Sequence, residues 1–335
     1  MAEPAPRATV VILTFNGAVY LREILEAVFR QRFDGVFEVL VIDSGSTDST
    51  LEILAQFPEV RLHQIPNSEF GHGRTRNLAA TLARGEFVAF LTHDAIPLTD
   101  RWLHHMIDPF ELGPQLVAVV GRQVPRPRCI PVMKYEINAS FARYGPEHSV
   151  HVSQRGDFDF TEHPALLDML GFYSDVNSAA RRHFLVSVMP YRDVRYAEDQ
   201  LFGRELLLAG YRKAYAPQGA VLHSNDVTFA EYGLRIFDET VGLREVGFTV
   251  PRLTRWQLAK YATRGMLADS RRILHDPTIG RKRKPYWWIM NPAYHLQKWR
   301  AYAAASSIDL DDSESIGARS LEYRRKRSAS DASGG

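Results

Sequence analysis

The chain has 335 residues, of which 45% are hydrophobic and 11% aromatic, which provides a sizeable core and excludes a largely disordered protein. Its one cysteine, Cys129, excludes a disulfide framework and a cysteine-based zinc site, and it favours a reducing compartment. The formal net charge is only +2, but residues 251–304 carry twelve Lys or Arg against two Asp or Glu. That excess predicts an anionic partner for the segment, either a membrane or a nucleic acid.

Targeting signals are not recognisable in the sequence. Residues 1–7 are short and contain prolines, without the apolar run of a signal peptide. We find no stretch of about 18 apolar residues, so the pattern predicts no transmembrane helix. We therefore expect a cytoplasmic protein.

The first third of the chain alternates short β-branched runs with helical patterns. Strands are predicted at 9–14, 38–43, 60–65 and 86–92, and helices at 20–31, 49–57 and 75–84, with Gly85 placed to end the third helix. Three of these strands are nearly continuous apolar runs, which is typical of a parallel sheet covered on both faces. The alternation predicts a doubly wound α/β domain, whose ligands lie beyond the carboxyl ends of the strands.

The middle of the chain is less regular and then becomes ordered again. Residues 123–175 are rich in Pro, His and Asp. Beyond them the pattern predicts a helix at 196–209 closed by Gly210, a strand at 214–222 and a helix at 226–245.

The character of the sequence changes near residue 251. Four of the five tryptophans lie beyond this point, among many basic residues. One helical face is predicted to carry Trp256, Ala259, Ala262, Met266 and Leu267. We expect a basic, aromatic helical extension at 251–305 and a polar, flexible tail at 306–335.

Polar, turn-prone clusters follow three of the predicted strands, at 14–17, 43–48 and 92–95. In a parallel sheet these clusters meet at one edge, where a ligand crevice is expected. Each cluster alone is also explained by helix capping or turn formation, with Asp48 or Ser49 as an N-cap and Asp94 as a turn residue. Their convergence favours a ligand site.

Five motifs occur in order along residues 8–225. They are TFNG at 14–17, VIDSGSTDST at 41–50, GHGRTRNLA at 71–79, a strand ending in Asp94, and YAED at 196–199 followed by His223. This ordered set resembles family-2 glycosyltransferases with the GT-A fold. The resemblance implies an inverting transfer of a sugar from a nucleotide-sugar donor to an acceptor hydroxyl. It divides the chain into a nucleotide-sugar-binding half at 1–120, an acceptor-binding half at 121–250, the extension at 251–305 and the tail at 306–335.

The resemblance assigns donor-binding roles to residues at the strand ends and at the start of the third helix: Thr14, Asn16, Asp43, Ser46, Gly73, Arg74, Asn77, His93 and Asp94. Asp43 is implied to accept a hydrogen bond from the uracil or thymine base. Gly73 would let the backbone approach the donor, and a helix N-terminus favours a diphosphate. Arg74 and Arg76 have the alternative interpretation of solvated surface charges.

A divalent metal, Mn²⁺ or Mg²⁺, is implied at Asp94, with His223 as a further ligand. The family normally has a DxD-type pair of carboxylates here, and Asp94 corresponds to the last of the two. This chain reads Thr92-His93-Asp94, so the first carboxylate is missing and His93 is left as a donor contact or a solvent-facing group. Oxygen ligands suit either ion, and an imidazole favours Mn²⁺.

A general base is also required, to take the proton from the attacking hydroxyl. Glu198 and Asp199 open the predicted helix at 196–209, and the resemblance assigns the base to Asp199. Near a helix N-terminus its carboxylate is expected to be ionised. The alternative is that both acids only complement the helix dipole.

The stretch THDAIP at 92–97 resembles a variant found in bacterial rhamnosyltransferases, which use dTDP-L-rhamnose. Other dTDP- or UDP-sugars stay open as donors, and the acceptor is expected to be a glycan or a lipid-linked glycan. The basic, tryptophan-bearing extension suits the inner face of the plasma membrane, or packing on the body or on a second subunit. A sugar nucleotidyltransferase and a non-catalytic nucleotide-sugar-binding protein are the alternative functions. A nucleic-acid partner is not expected, because the acidic body offers no continuous basic face.

Overall fold

A computed structural model describes residues 5–156, 160 and 162–324. The chain forms two compact units. The first holds the chain up to Arg126 together with Ile137–Ser224, and the second holds Pro127–Glu136 and the chain from Asn225 onward. One helix, α5 (Pro131–Ala142), gives its first residues to the second unit and its last residues to the first.

The first unit is built on a mixed, mostly parallel sheet. Its strands are β1 (Ala8–Thr14), β2 (Phe37–Asp43), β3 (Val60–Gln64), β4 (Phe87–Thr92), β5 (Ile96–Pro97), β6 (Leu116–Val124), β7 (His151–Ser153), β8 (Asn177–Arg181) and β9 (Arg212–Leu222). In the part of the chain that the structure describes, their order is β3-β2-β1-β4-β8-β6-β9-β5, with β7 paired to β9. The neighbours among β1 to β4 are parallel, as are β6 and β9, whereas β8 runs antiparallel between β4 and β6.

Helices cover both faces of this sheet. They are α1 (Leu21–Phe29), α2 (Thr50–Leu54), α3 (His72–Leu82), α4 (Trp102–Ile107), the end of α5, α6 (Pro164–Leu170) and α7 (Glu198–Leu208). Successive side chains of β1 enter different cores, since Val10 and Ile12 pack in one and Val11 in the other. Burial on both faces explains why β1, β2 and β4 are continuous apolar runs. The doubly wound, GT-A-like α/β prediction is confirmed.

One local prediction was wrong. Helix α3 ends at Leu82 with Ala83 as its C-cap, so Gly85 does not end the helix. A Cβ atom on Gly85 would lie 2.5 Å from the carbonyl carbon of Ala8. The glycine is therefore required by close packing on β1.

The second unit is helical in the range that the structure describes. Besides the start of α5 it contains α8 (Phe229–Glu245), α9 (Arg255–His275), α10 (Lys284–Ser307) and α11 (Ser313–Arg319). Helices α8 and α9 begin with reciprocal side chain–backbone hydrogen bonds, between Thr228 and Glu231 and between Thr254 and Gln257. No helix within the described residues is long and apolar enough to cross a membrane.

The predicted domain boundary at residue 250 differs from the observed one, which follows Ser224. The reason is packing, because Phe237 and Val241 of α8 form one core with Ala305 and Ile316. Within the predicted tail, the structure forms α11 and a further helical stretch at 321–324. Residues 325–335 of that predicted tail lie outside the described residues.

Candidate active site

The loops that follow β1 and β2 are tied together by side chains at their tips. Asn16 adopts a left-handed backbone conformation with φ 49°, which asparagine tolerates better than most residues. Its Oδ1 accepts hydrogen bonds from the backbone N–H groups of Thr47 (2.8 Å) and Asp48 (3.3 Å). Its own N–H donates to the Ser46 hydroxyl at 2.8 Å. Two of the predicted donor-binding residues, Asn16 and Ser46, therefore shape one double loop at the edge of the sheet.

Asp43 lies beneath this double loop and is completely buried. Its carboxylate accepts from the N–H groups of Gly45 (3.1 Å) and Ser46 (3.0 Å) and from the Ser46 hydroxyl. The observed role of Asp43 is thus to hold the turn after β2. Thr14 differs, because its hydroxyl is buried at the end of β1 and has no hydrogen-bond partner among the described residues. An unsatisfied buried hydroxyl is uncommon and indicates a missing partner such as a ligand or water.

The residues predicted at the start of α3 have separate positions. Arg74 is exposed and donates to the carbonyl of Phe70 at 2.9 Å. Gly73 is buried, and a Cβ atom there would lie 2.2 Å from the carbonyl oxygen of Arg192. Asn77 exchanges two hydrogen bonds of 2.9 Å with the backbone of Tyr191. Gly73 and Asn77 thus hold the 191–192 segment, and the close approach that Gly73 permits is to protein backbone.

Arg76 is buried, which rules out the solvated alternative for this residue. Its guanidinium forms ion pairs with Asp175 at 3.1 Å and with Glu198 at 2.5 Å. Asp175 also accepts from the hydroxyls of Ser178 (2.5 Å) and Tyr191 (2.9 Å). Burial raises the pKa of Asp175 above its ordinary value, and the nearby Arg76 charge opposes that rise.

The two acidic residues at the start of helix α7, Glu198 and Asp199, differ in burial and in hydrogen-bond partners. Ala197, directly before the helix, has φ 61°, a strained conformation for alanine and one that often marks functional sites. Glu198 is buried against Arg76, whereas Asp199 keeps some exposed surface. The Asp199 carboxylate accepts from the N–H groups of Gln200 (2.7 Å) and Asp175 (3.2 Å).

The ionisation expected for Asp199 is not what its surroundings favour. Burial, followed by the charges of Glu198 and Asp175, raises the pKa of Asp199 to about 8, although Arg76 acts in the other direction. Removing a carboxylate from water outweighs the helix dipole here, because the dipole contributes only about 0.3–1 kcal/mol at most sites. The surroundings of Asp199 therefore favour its protonated form more than water does for an ordinary aspartate.

Asp94 and His223 meet at the ends of β4 and β9. His223 Nε2 lies 3.3 Å from Asp94 Oδ2, and the Thr92 hydroxyl donates to Asp94 Oδ1 at 2.6 Å. Burial alone would raise the pKa of Asp94, but the adjacent His223, and then His93, hold it well below its usual range. His93 points toward the β1 loop, where its Nδ1 is 3.4 Å from the N–H of Phe15. The structure thus brings Asp94 and His223 together and leaves His93 beside them.

This pair has the dimensions of a partial metal site. Two ligands in adjacent positions of an octahedral ion, each about 2.1 Å from it, are about 3 Å apart. The 3.3 Å separation of His223 Nε2 and Asp94 Oδ2 is close to that value. Within the described ranges no cluster of three or more His, Cys, Asp or Glu side chains could hold a metal. Asp94 and His223 would together hold a divalent ion here, and a donor diphosphate would supply further oxygen ligands.

Arg126 connects the segments that carry Asp94 and His223, and the sequence did not predict it as a site residue. Its guanidinium donates to the carbonyl of Asp94 and, at 2.5 Å, to the carbonyl of Ser224, the residue after His223. It also lies 3.8 Å above the ring of Tyr20. No motif marks this arginine, because its partners are backbone carbonyls from distant parts of the chain.

Comparisons with known proteins agree with this architecture. The family model described as glycosyl transferase family 2 matches residues 9–182. The chain is 29% identical over 242 residues to the O-antigen chain rhamnosyltransferase RfbN of Salmonella typhimurium, with 70% of this chain and 72% of that protein covered. It is 30% identical over 243 residues to the O-antigen chain rhamnosyltransferase WbaN of Salmonella anatum, with the same coverage.

A solved structure shows the same fold at low sequence identity. The mannosyltransferase PcManGT from Pyrobaculum calidifontis, in complex with GDP-Man and Mn²⁺, superposes with a TM-score of 0.52 and 19% identity. The superposition covers 96% of this chain and 83% of that one. The family model spans more than half of the chain, including β1, β2 and β4 with their polar ends. The chain therefore belongs to glycosyl transferase family 2.

Proposed function

We propose that the protein is an inverting, divalent-metal-dependent rhamnosyltransferase, which transfers L-rhamnose from dTDP-rhamnose to a hydroxyl of a glycan or lipid-linked glycan. The observation that carries the proposal is the pairing of Asp94 with His223 at the ends of β4 and β9, 3.3 Å apart. Strand ends of this kind of sheet are where ligands bind.

Asp94 and His223 would hold the metal, and Mn²⁺ suits this mixed oxygen and imidazole pair better than Mg²⁺. When bound, such an ion neutralises charge that develops on the departing diphosphate. The ionised state that His223 favours for Asp94 leaves its carboxylate ready as a ligand. Arg126 keeps the two ligand-bearing segments together through their carbonyl groups.

The donor nucleoside would lie on the double loop formed by Asn16 and Ser46. The unsatisfied hydroxyl of Thr14 supports a polar partner at this point. Asp43 still has acceptor capacity for the imide N–H of a thymine or uracil base, although its carboxylate already holds the turn. Arg74 is exposed at the beginning of α3 and forms no ion pair with a carboxylate of the described residues, so it suits the diphosphate.

In the transfer itself, an acceptor oxygen attacks the anomeric carbon as the bond from that carbon to the diphosphate oxygen breaks. The bonding electron pair leaves with dTDP, and the acceptor proton passes to the carboxylate of Asp199. Two features support Asp199 over Glu198: its exposed surface, and the engagement of Glu198 by Arg76. A base with a raised pKa is also a stronger proton acceptor once it is deprotonated.

The rhamnosyl assignment depends on the relatives and on the stretch THDAIP at 92–97. Two proteins named O-antigen chain rhamnosyltransferases match 70% of this chain. The direct test is to incubate the protein and Mn²⁺ with dTDP-rhamnose, UDP-glucose, UDP-galactofuranose and UDP-GlcNAc, and to measure nucleotide release. We expect release from dTDP-rhamnose to exceed the others by at least an order of magnitude. Preference for a UDP-sugar would reject the rhamnosyl assignment, and no release from any donor would favour a binding protein.

The second unit supports peripheral binding to an anionic membrane surface. Along α9, one exposed stripe alternates apolar and basic side chains at helical spacing: Trp256, Lys260, Leu267, Arg271 and Leu274. Trp256 is 70% and Leu267 60% exposed. Apolar groups mixed with positive charge are typical of interfacial helices. A second copy of the chain is the alternative occupant of this stripe.

A further inference from the structure

The side of the His223 ring that faces away from Asp94 has its own polar partner. His223 Nδ1 lies 3.0 Å from Oε1 of Gln123, and both side chains are buried. Gln123 Nε2 in turn donates to the Ser174 hydroxyl at 3.0 Å. Both the oxygen and the nitrogen of the Gln123 amide therefore have hydrogen-bond partners, and this orients the oxygen toward the imidazole.

Gln123 lies beside an irregularity in the pairing of β6 with β9. Gly121 pairs with Ala216 and Gln123 with Val221, so the extra residues are in β9. The irregularity leaves the carbonyl of Arg122 to accept from Asn177 Nδ2 at 3.2 Å. Interruptions of this kind recur next to active sites. Gln123 directly follows this one and presents an uncharged acceptor to Nδ1 of His223.

An acceptor at Nδ1 determines which ring nitrogen carries a hydrogen. With Nδ1–H donating to Gln123, Nε2 is the nitrogen directed at Asp94, and it can bind a metal once the proton it shares with that carboxylate has left. A donor at the same place would hold the opposite tautomer, in which Nε2 carries the hydrogen and cannot bind a metal. Partners of this kind commonly change metal affinity 10–100-fold.

We propose that Gln123 is a positioning residue for the metal site, which orients His223 and fixes its Nε2 as the ligand atom. The proposal rests on the proposed metal-dependent function and extends it to a residue that contacts the candidate ligand His223 from behind. Ser174 secures the amide orientation, and the N–H of the next residue, Asp175, donates to Asp199. One connected set of hydrogen bonds thus supports both the metal pair and the candidate base.

The test is Mn²⁺ binding, measured from the loss of the free-ion paramagnetic resonance signal, with and without dTDP. Gln123→Met keeps length and removes the acceptor, and should weaken Mn²⁺ binding by roughly 10–100-fold. Gln123→Glu retains an acceptor for Nδ1–H and should stay within about threefold of the unmodified protein. Loss in the first variant and retention in the second is a pattern that general destabilisation cannot produce.

Gln31→Met is the matched control. Gln31 is also a buried glutamine that is used at both ends, since it donates to the carbonyl of Thr99 at 2.8 Å and accepts from the N–H of Leu103 at 2.9 Å. This variant should lower the melting temperature and leave Mn²⁺ binding unchanged.

Full Mn²⁺ affinity in folded Gln123→Met would overturn the proposal, as would equal loss in Gln123→Glu. If the unmodified protein takes up no Mn²⁺, the metal site and this proposal fail together. Normal Mn²⁺ uptake without transfer from dTDP-rhamnose would instead reject only the donor assignment.

Discussion

The two units can be compared through a buried cluster of charges in the first and exposed large apolar side chains on the helices of the second. In the first unit, charged groups such as Arg76 and Asp175 are buried and paired with each other. In the second unit, large apolar side chains such as Trp256 and Ile289 remain exposed, by 70% and 68%. Burying charge costs free energy unless the geometry is excellent, and exposing apolar surface costs free energy until something covers it. The first arrangement is typical of a site that must hold its shape, and the second of a surface that meets a partner.

The second unit also buries charged groups, in a cluster between two of its helices. Asp269 of α9 and His295 of α10 are buried and lie 3.0 Å apart, and Arg272 reaches the same carboxylate at 2.9 Å. This cluster joins two helices and lies at no strand end. The comparison teaches that buried polar groups alone do not identify the active site. Convergence of polar groups at the ends of parallel strands is the feature that favours the candidate site.

Among the variants that test the candidate site of the first unit, Asp94→Ala should lower the rate of sugar transfer most. Losing this carboxylate removes one of two proposed metal ligands, so transfer should fall by roughly 10³-fold or more and lose its response to Mn²⁺. Donor turnover with a Mn²⁺ titration measures both. Asp100→Ala, at an exposed aspartate paired with Arg32, is the control and should behave like the unmodified protein. Near-normal turnover in Asp94→Ala, or an unmodified enzyme indifferent to EDTA, would contradict the metal assignment.

The next largest effect separates the two acids of α7. Asp199→Asn keeps size and removes the proton acceptor, so turnover should fall by roughly 10²–10⁴-fold while donor affinity is maintained. Glu198→Gln weakens the ion pair with Arg76, so it should lower the melting temperature more than it lowers turnover. Steady-state kinetics and thermal unfolding of both variants test the division of roles. Normal turnover in Asp199→Asn with loss in Glu198→Gln would reverse it.

The rate of transfer should also depend on pH, by about tenfold per pH unit below neutrality. Because burial raises the pKa of Asp199 to about 8, the carboxylate becomes available as a base only as pH rises toward that value. The kcat/KM should therefore increase about tenfold per pH unit from pH 6 and level off above about 8. The profile is to be measured at saturating Mn²⁺. A plateau that begins below pH 6 would mean that Asp199 is not the base or that its pKa is not raised.

The smallest effect concerns the exposed stripe of α9. The double variant Trp256→Ser and Leu267→Ser should weaken binding to vesicles that contain anionic lipid by about 1 kcal/mol, roughly fivefold. Each nearby basic residue contributes about 1 kcal/mol, which declines with salt. Liposome flotation measures the partition, and Leu112→Ser, at an exposed leucine of the first unit, is the control. Equal binding to neutral vesicles, or no binding to either, would favour the second-subunit alternative.

Local sequence was sufficient for the strands that carry the site. β1, β2 and β4 were predicted to within a residue or two at each end, because burial on both faces makes them continuous apolar runs. Asp94 and the loop residues Asn16 and Ser46 follow directly after strands, so their place at one edge of the sheet was also predictable. The convergence of Asp94 with His223 came from the family resemblance, and the structure brings the pair to 3.3 Å.

Tertiary structure alone decided the partners of these residues. Arg76 reaches Glu198 across 122 positions, and Gln123 reaches His223 across 100, and neither pairing has a local pattern. The same is true of Gly73 and Gly85, whose neighbours are backbone atoms brought close by the fold. The sequence by itself determined where β1, β2 and β4 begin and end, because a continuous apolar run reports burial on both faces of a sheet. Which buried groups meet depends on strand order and register, and those follow from packing of the whole sheet rather than from any one segment.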